Sequence, residues 1–299
     1  MKMYPMNPGI LFALLWVLSA AKSDLINFTE CGLKVKSISY LDLALESIHN
    51  AKKNYPGCAV SSKKPQDCED LLRKGYNTSG VYRIWPRSRV MEGKSLKAFC
   101  DMDTHGGGWT IIQRRGNFSR PKEYFYQDWM SYKKGFGNVE TDFWLGNDNI
   151  FALSNQKIYS LRIDLMDVES NKRYALYDEF WIDDEAHNYT LHVNGYTGDA
   201  GDSLQLAHDN QQFSTKDRDN DSLVNNTCAQ LYKGGWWYNA CHASNLNGLY
   251  LRGKHESYAD GVVWYSWKGH HESMDTVEIK LRSKDFTSSL IPSDSITPQ

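Results

Sequence analysis

Between Thr276 and Arg282 apolar and charged positions alternate, Val277, Ile279 and Leu281 against Glu278, Lys280 and Arg282. A period of two places each set on its own face of a pleated strand, so the run predicts a half-buried β-strand. Similar short runs broken by glycine recur upstream, in GVYRIWP, LKAFCDM, GGGWTIIQRR, YSLRIDL, RYALYDEFWI and YTLHVNGY. Near the start of the chain the period changes. Ile38, Leu41, Leu45 and Ile48 follow one another at spacings of three, four and three, an apolar helical stripe that Tyr55-Pro56-Gly57 stops. Two heptads do not make a stable coiled coil alone, which leaves a helix docked on its own domain or an oligomerisation stub. Brief helices are predicted at DCEDLLRKG and along EYFYQDWMSYKKG. Short strands, brief helices and long loops together read as one irregular α+β domain over residues 68–283, after an N-terminal region at 23–67 and before a flexible tail at 284–299. Its roughly 215 residues bury one core without needing to split.

The opening MKMYPMNPGILFALLWVLSAAKS has a lysine, an apolar run from Ile10 to Leu18 and small residues from Ser19 to Ala21, which predicts a signal peptide at 1–22. That run is too short to span a bilayer comfortably, no other segment approaches the ~18 apolar residues needed, and no membrane insertion is expected. A secreted, extracellular protein meets an oxidising medium rich in calcium. There the six cysteines, Cys31, Cys58, Cys68, Cys100, Cys228 and Cys241, favour disulfides over metal ligation, and no C-x-x-C pair argues for zinc. Cys31 and Cys58 flank the N-terminal helix and are free to pair with each other or across subunits. Sequons at Asn27, Asn77, Asn117, Asn188 and Asn225 fit the same compartment. A formal net charge of −2 at pH 7 gives no pull toward nucleic acid or anionic membranes. Ten Trp and eighteen Tyr exceed what a core of this size demands, and some should face ligand.

Catalytic motifs fail on inspection. His105-Gly106-Gly107-Gly108 resembles an esterase oxyanion loop, but no G-x-S-x-G elbow accompanies it. Gly135-Phe136-Gly137 lacks the third glycine of a dinucleotide loop, and His187 and His192 have the wrong spacing for a zincin helix. The chain reads as a binding protein and not an enzyme. Its most suggestive chemistry is FSTKDRDNDSLVNNTC, where Asp217, Asp219 and Asp221 alternate with other residues. Like charges this close are either screened in a solvated turn or held by a cation. An EF-hand needs glycine at the sixth position and glutamate at the twelfth, whereas counting from Asp217 gives Ser222 and Cys228. An irregular loop can still aim Asp219 and Asp221 at one point, and hard oxygen ligands of this kind suit calcium.

The ordered series GVYRIWP, FCDMDTHGGGWTIIQRR, GFG with FWLGND, GDAGDSL, FSTKDRDND, CAQLYKGGWWYNACHASNLNG and SYADGVVW resembles a fibrinogen C-terminal domain from Cys68 to about Arg282. Within that family it is most similar to invertebrate lectins of the tachylectin and ficolin type. The resemblance implies an antiparallel sheet stapled by disulfides Cys68–Cys100 and Cys228–Cys241. It implies a calcium ion held by the side chains of Asp219 and Asp221 and the carbonyls of Leu223 and Asn225, with Asp217 as a nearby surface charge. It also implies an acetyl pocket: Tyr232 and Tyr258 as aromatic walls, Ala259 as floor, His242 in contact with the ligand, and a cis peptide from Ala240 to Cys241 that turns amides toward the acetyl carbonyl. His270 stands at a rim position where relatives often carry an aromatic ring. Trp236, Trp237 and Tyr238 are expected in the core beneath. The implied function is a secreted, calcium-dependent lectin for N-acetylated glycans on microbial surfaces. One acetyl group supplies only about 1 kcal/mol per buried methyl and per hydrogen bond, so useful avidity requires a homo-oligomer. The alternative from another class is a fibrinogen-like ligand for a receptor or a modulator of haemostasis, as in a venom.

Overall fold

The computed structural model describes residues 40–47, 64–89 and 91–287. Two compact units divide the chain, Met1–Lys63 and Lys64–Gln299. In the first, residues 40–47 form a helix, on which Leu41 and Leu45 of the predicted stripe are 64% and 65% exposed. Ile38, Ile48, Cys31, Cys58, Asn27, the expected signal peptide and the tail beyond residue 287 lie outside the described residues.

The second unit begins with α1 (Cys68–Arg73), where the Asp67 carboxylate accepts from Asp70 N at 2.9 Å and satisfies a free amide of the first turn. Strands β1 (Gly80–Ile84), β2 (Leu96–Asp101) and β3 (Trp109–Arg115) follow, with the Cys68–Cys100 disulfide tying α1 to β2. Next come α2 (Trp129–Lys134), β4 (Phe136–Gly137), β5 (Phe143–Trp144), α3 (Asn147–Ser154), β6 (Tyr159–Met166), β7 (Lys172–Ile182) and β8 (Leu191–Gly198). Short helices α4 (Gln205–His208), α5 (Cys228–Leu231) and α6 (Tyr265–Lys268) alternate with two-residue strands β9 (Ser244–Asn245), β10 (Gly253–Lys254), β11 (Val263–Trp264) and β12 (Glu272–Ser273), before β13 (Thr276–Ser283). All seven predicted strand runs are strands. They build an antiparallel sheet in the order β1-β2-β3-β13-β6-β7-β8, with β5 paired to β3 and β4 paired to β5. This is the α+β architecture with irregular antiparallel sheet that the sequence predicts.

One prediction needs correction. The run EYFYQDWMSYKKG is helical only from Trp129, and Glu123 to Gln127 make successive turns. Asp128 is extended, its carboxylate caps Ser131 N at 2.8 Å, and Asp217 accepts from Trp129 N at 2.8 Å. These two carboxylates take the first free amides and fix the start of α2.

The core beneath the sheet is aromatic. Phe213 lies between Trp144 and Trp237, with ring centroids 6.0 and 5.2 Å away, and Trp236 meets Trp237 at 5.0 Å. Trp236, Trp237 and Tyr238 are all buried, as expected of them. On β13, Val277, Ile279 and Leu281 face this core. The opposite face is less wet than alternation predicts. Lys280 is 1% exposed, its ammonium 2.7 Å from Asp101, 2.8 Å from Asp164 and 2.8 Å from Glu278. A charge this deep is tolerated because three carboxylates surround it, one from β13 itself, one from neighbouring β6 and one from β2 beyond β3.

Candidate ligand and cation site

The loop after Phe213 is pinned at its start by reciprocal backbone hydrogen bonds between Ser214 and Trp236. Its three aspartates do different things. Asp217 accepts from Trp129 N and from Thr215 Oγ1 at 2.7 Å, so it belongs to the α2 terminus. Asp219 accepts from Asp221 N and Thr227 Oγ1, both at 3.2 Å. Asp221 accepts from Leu223 N at 2.9 Å and from Cys228 N at 2.7 Å. No Lys or Arg pairs with Asp219 or Asp221 among the described residues, and burial, then the adjacent Asp219 charge, push the Asp221 carboxyl above its usual range. Two neighbouring carboxylates without a protein cation fit a hard divalent ion. Among the described residues the carbonyls of Leu223 and Asn225 accept no backbone hydrogen bond, and Asn225 has a left-handed φ of 68°. No cluster of three or more His, Cys, Asp or Glu side chains is poised on a metal among the described residues. An ion here would therefore need the two carboxylates, main-chain oxygens and water.

The loop is joined directly to the second half of the site. Ser222 N donates to Asn239 O at 3.1 Å, and Cys228, held by Asp221, is bridged to Cys241. The Ala240–Cys241 peptide is cis. Immediately after it, His242 packs edge-on to Tyr232 at 4.5 Å and lies 5.7 Å from His270, which sits 5.1 Å from Tyr258. Ala259, buried and with φ of 61°, donates its amide to His270 O at 3.1 Å. A left-handed alanine is disfavoured, and its presence marks a backbone held by its surroundings. Tyr232, Ala240, Cys241, His242, Tyr258, Ala259 and His270 thus gather in one place. A further wall lies one residue beyond the SYADGVVW motif: Tyr265, half exposed, is 4.6 Å from His270, and its place directly after that motif is the signal that points to it.

Among the described residues neither nitrogen of His242 has a hydrogen-bond partner, although both are buried. Burial, then the nearby His208 and His270, depress its pKa to about 3, and the Ala259 backbone opposes this weakly without closing a bond of ordinary geometry. A buried polar group without a partner costs about 1–3 kcal/mol, which a ligand oxygen or water entering the bay would recover. His208 behaves differently. Its Nδ1 donates to Trp237 O at 2.7 Å, and its Nε2 accepts from Ala243 N and Ser244 N at 3.1 Å, so the chain beyond the cis peptide is hung on a neutral imidazole. Burial depresses its pKa to about 4.

The sign of the pH effect follows. Above pH ~6.5 His208 is neutral in both states; below it the unfolded chain takes up a proton that the fold refuses until about pH 4. His208 is expected to withdraw roughly 3 kcal/mol of stability between those limits. Urea titrations of wild type and His208→Gln across this range measure it, and equal pH slopes would show that His208 does not govern acid sensitivity.

Among the sequons, Asn77, Asn117 and Asn225 are exposed, whereas the Asn188 amide donates to Gln212 at 2.8 Å. Among the described residues, Ser257, His255 and Asp260 lie together without the order of a hydrolytic triad. Ser257 Oγ donates to Asp260 at 2.6 Å, so its proton is turned away from His255.

A disulfide-stapled antiparallel sheet with an acidic loop leaning on an aromatic bay defines a fibrinogen-like globe. The chain belongs to the fibrinogen C-terminal domain family: the description "Fibrinogen beta and gamma chains, C-terminal globular domain" matches residues 64–284. It is 56% identical to Techylectin-5A of Tachypleus tridentatus over 227 residues, 76% of this chain and 77% of the relative. A techylectin-like protein of Phoneutria nigriventer is 50% identical over 85% of this chain and 98% of its own. Angiopoietin-related protein 7 of Homo sapiens is 48% identical over 74% of this chain and 62% of its own. Among solved structures, the fibrinogen-like globe domain of human ANGPTL2 superposes with a TM-score of 0.69 at 39% identity, over 74% of this chain and 99% of that one. Lamprey fibrin D-dimer, complexed with the peptide Gly-His-Arg-Pro-amide, gives a TM-score of 0.68 at 30% identity, over 97% of this chain and 95% of that one.

Proposed function

We propose that this chain is a secreted, calcium-dependent lectin that recognises N-acetylated glycans on microbial surfaces and agglutinates them as a homo-oligomer. The observation that carries this is His242: two buried, unpartnered ring nitrogens at the base of a bay walled by Tyr232, Tyr258 and His270. An acetamido group brings a methyl for the aromatic walls and polar atoms for the imidazole and amides. Asp219 and Asp221, with the carbonyls of Leu223 and Asn225, would hold calcium, whose role is to brace the loop that carries Cys228. Similarity to Techylectin-5A supports the lectin reading. A second reading, a protein ligand without sugar binding, is favoured by 48% identity to angiopoietin-related protein 7. The compartment is proposed from the N-terminal segment; among the described residues no helix is long and apolar enough to cross a membrane.

Retention on acetylated agarose in calcium, with elution by N-acetylglucosamine or chelator, distinguishes the two. No retention sinks the lectin. Tyr258 is 59% exposed, so Tyr258→Ala should abolish retention while changing stability by less than about 0.5 kcal/mol. A large fall in melting temperature would instead make Tyr258 part of the scaffold.

A further inference from the structure

A second concave site shares no residue with the aromatic bay. It is a groove of about 590 Å³ across the open face of the central sheet, over β3, β13, β6 and β7. Ligand clefts commonly run from about 300 to 1,000 Å³. Its floor is the ion lattice around Lys280. Arg114 pairs with Glu278 at 2.8 Å and lies 4.1 Å over Phe99, while Arg162 pairs with Asp164 at 2.7 Å and lies 4.2 Å over Tyr174. With Asp101 beside Lys280, three cations face three carboxylates, and a fourth, the buried Arg115, donates to the carbonyls of Leu246 and Gly248, so the floor is dense in fixed donors and acceptors.

The rim differs. Lys172 has no ion pair or side-chain hydrogen bond among the described residues, and Arg173 reaches Asp199 only at 3.6 Å with both side chains about half exposed. Phe118, 39% exposed, lines the same groove, as does Tyr174. Excess positive charge therefore collects at one rim of a protein whose net charge is −2.

We propose that this groove binds an anionic oligosaccharide, with sugar faces on Phe118 and Tyr174, hydroxyls on the Arg162–Asp164 and Arg114–Glu278 floor, and carboxylate or sulfate groups at Lys172 and Arg173. A wholly apolar ligand would strip water from the floor's ion pairs and offer no hydrogen bond in return. A nucleic acid backbone would bring its phosphates against Asp164 and Glu278, with few free cations to neutralise them. A sugar chain meets both demands, because its hydroxyls donate and accept, its ring faces stack, and side chains already locked in ion pairs need little reordering on binding.

The test uses the full chain in chelator with excess N-acetylglucosamine, so that the acetyl bay is silent and its failure is scored separately. Columns of heparin, polygalacturonate and neutral dextran report sulfate, carboxylate and uncharged sugar. Retention on heparin or polygalacturonate but not dextran is expected, weakening as salt rises above about 0.15 M. The double substitution Lys172→Gln/Arg173→Gln should weaken heparin binding about tenfold, and Phe118→Ala severalfold, without lowering the melting temperature. Absence of retention on both acidic columns, unchanged affinity in the double variant, or stronger retention on single-stranded DNA-cellulose overturns the proposal.

Discussion

Lys280→Ala is expected to destabilise the domain by about 3–5 kcal/mol at pH 7, because it leaves three carboxylates converging on an uncompensated cavity. Burial alone would raise the Asp101 carboxyl, but the Lys280 charge and hydrogen bond hold it well below the usual carboxylate range. Asp101 therefore contributes stability that is present above the ordinary aspartate pKa of about 3.9 and lost as acid protonates it. Without the ammonium, burial wins and Asp101 protonates more readily. The difference between wild type and variant should accordingly shrink as pH falls from 7 toward 4. Urea unfolding at both ends of that range measures this. A loss under about 1 kcal/mol at pH 7 would mean that water already reaches the lattice and screens it.

The second large effect concerns Asp221. If the acidic loop takes calcium, an ion at a hundred times its dissociation constant adds about 2.7 kcal/mol. For a unit of this size that is roughly 5–10 °C in melting temperature. Asp221→Asn should remove the chelator-sensitive shift and, with it, retention on acetylated agarose. The substituted amide still offers an oxygen to Leu223 N or Cys228 N, so the metal-free fold should change little. Scanning calorimetry of wild type in calcium and in chelator decides the point: coincident transitions would take the cation away from the loop and leave its carboxylates as amide caps.

Much of this architecture is written in local patterns. Alternation located β13 because Val277, Ile279 and Leu281 need one apolar face, and glycine-bounded runs located the other long strands of the sheet. The bay was legible through family motifs, which bring Tyr232, His242, His270 and Tyr258 together although no periodicity relates them. What stayed hidden depends on partners distant in sequence. Alternation assigns Lys280 to water; only the arrival of Asp101 and Asp164 from two other strands makes it a buried ion. The false helical start at Glu123 has the same origin, since Asp217, 88 residues on, helps decide where α2 begins. The groove is a further case, built from side chains that meet only when the sheet is assembled.

Because β13 lies between β3 and β6, two stretches that precede it by more than a hundred residues are stitched together by nearly the last of the described chain. During synthesis both halves must wait with raw edges, unable to pair across the gap until residues 276–283 leave the ribosome. A message cut short before Thr276 should therefore yield aggregate in place of a smaller working domain, and cellular quality control would meet every such product as an open sheet.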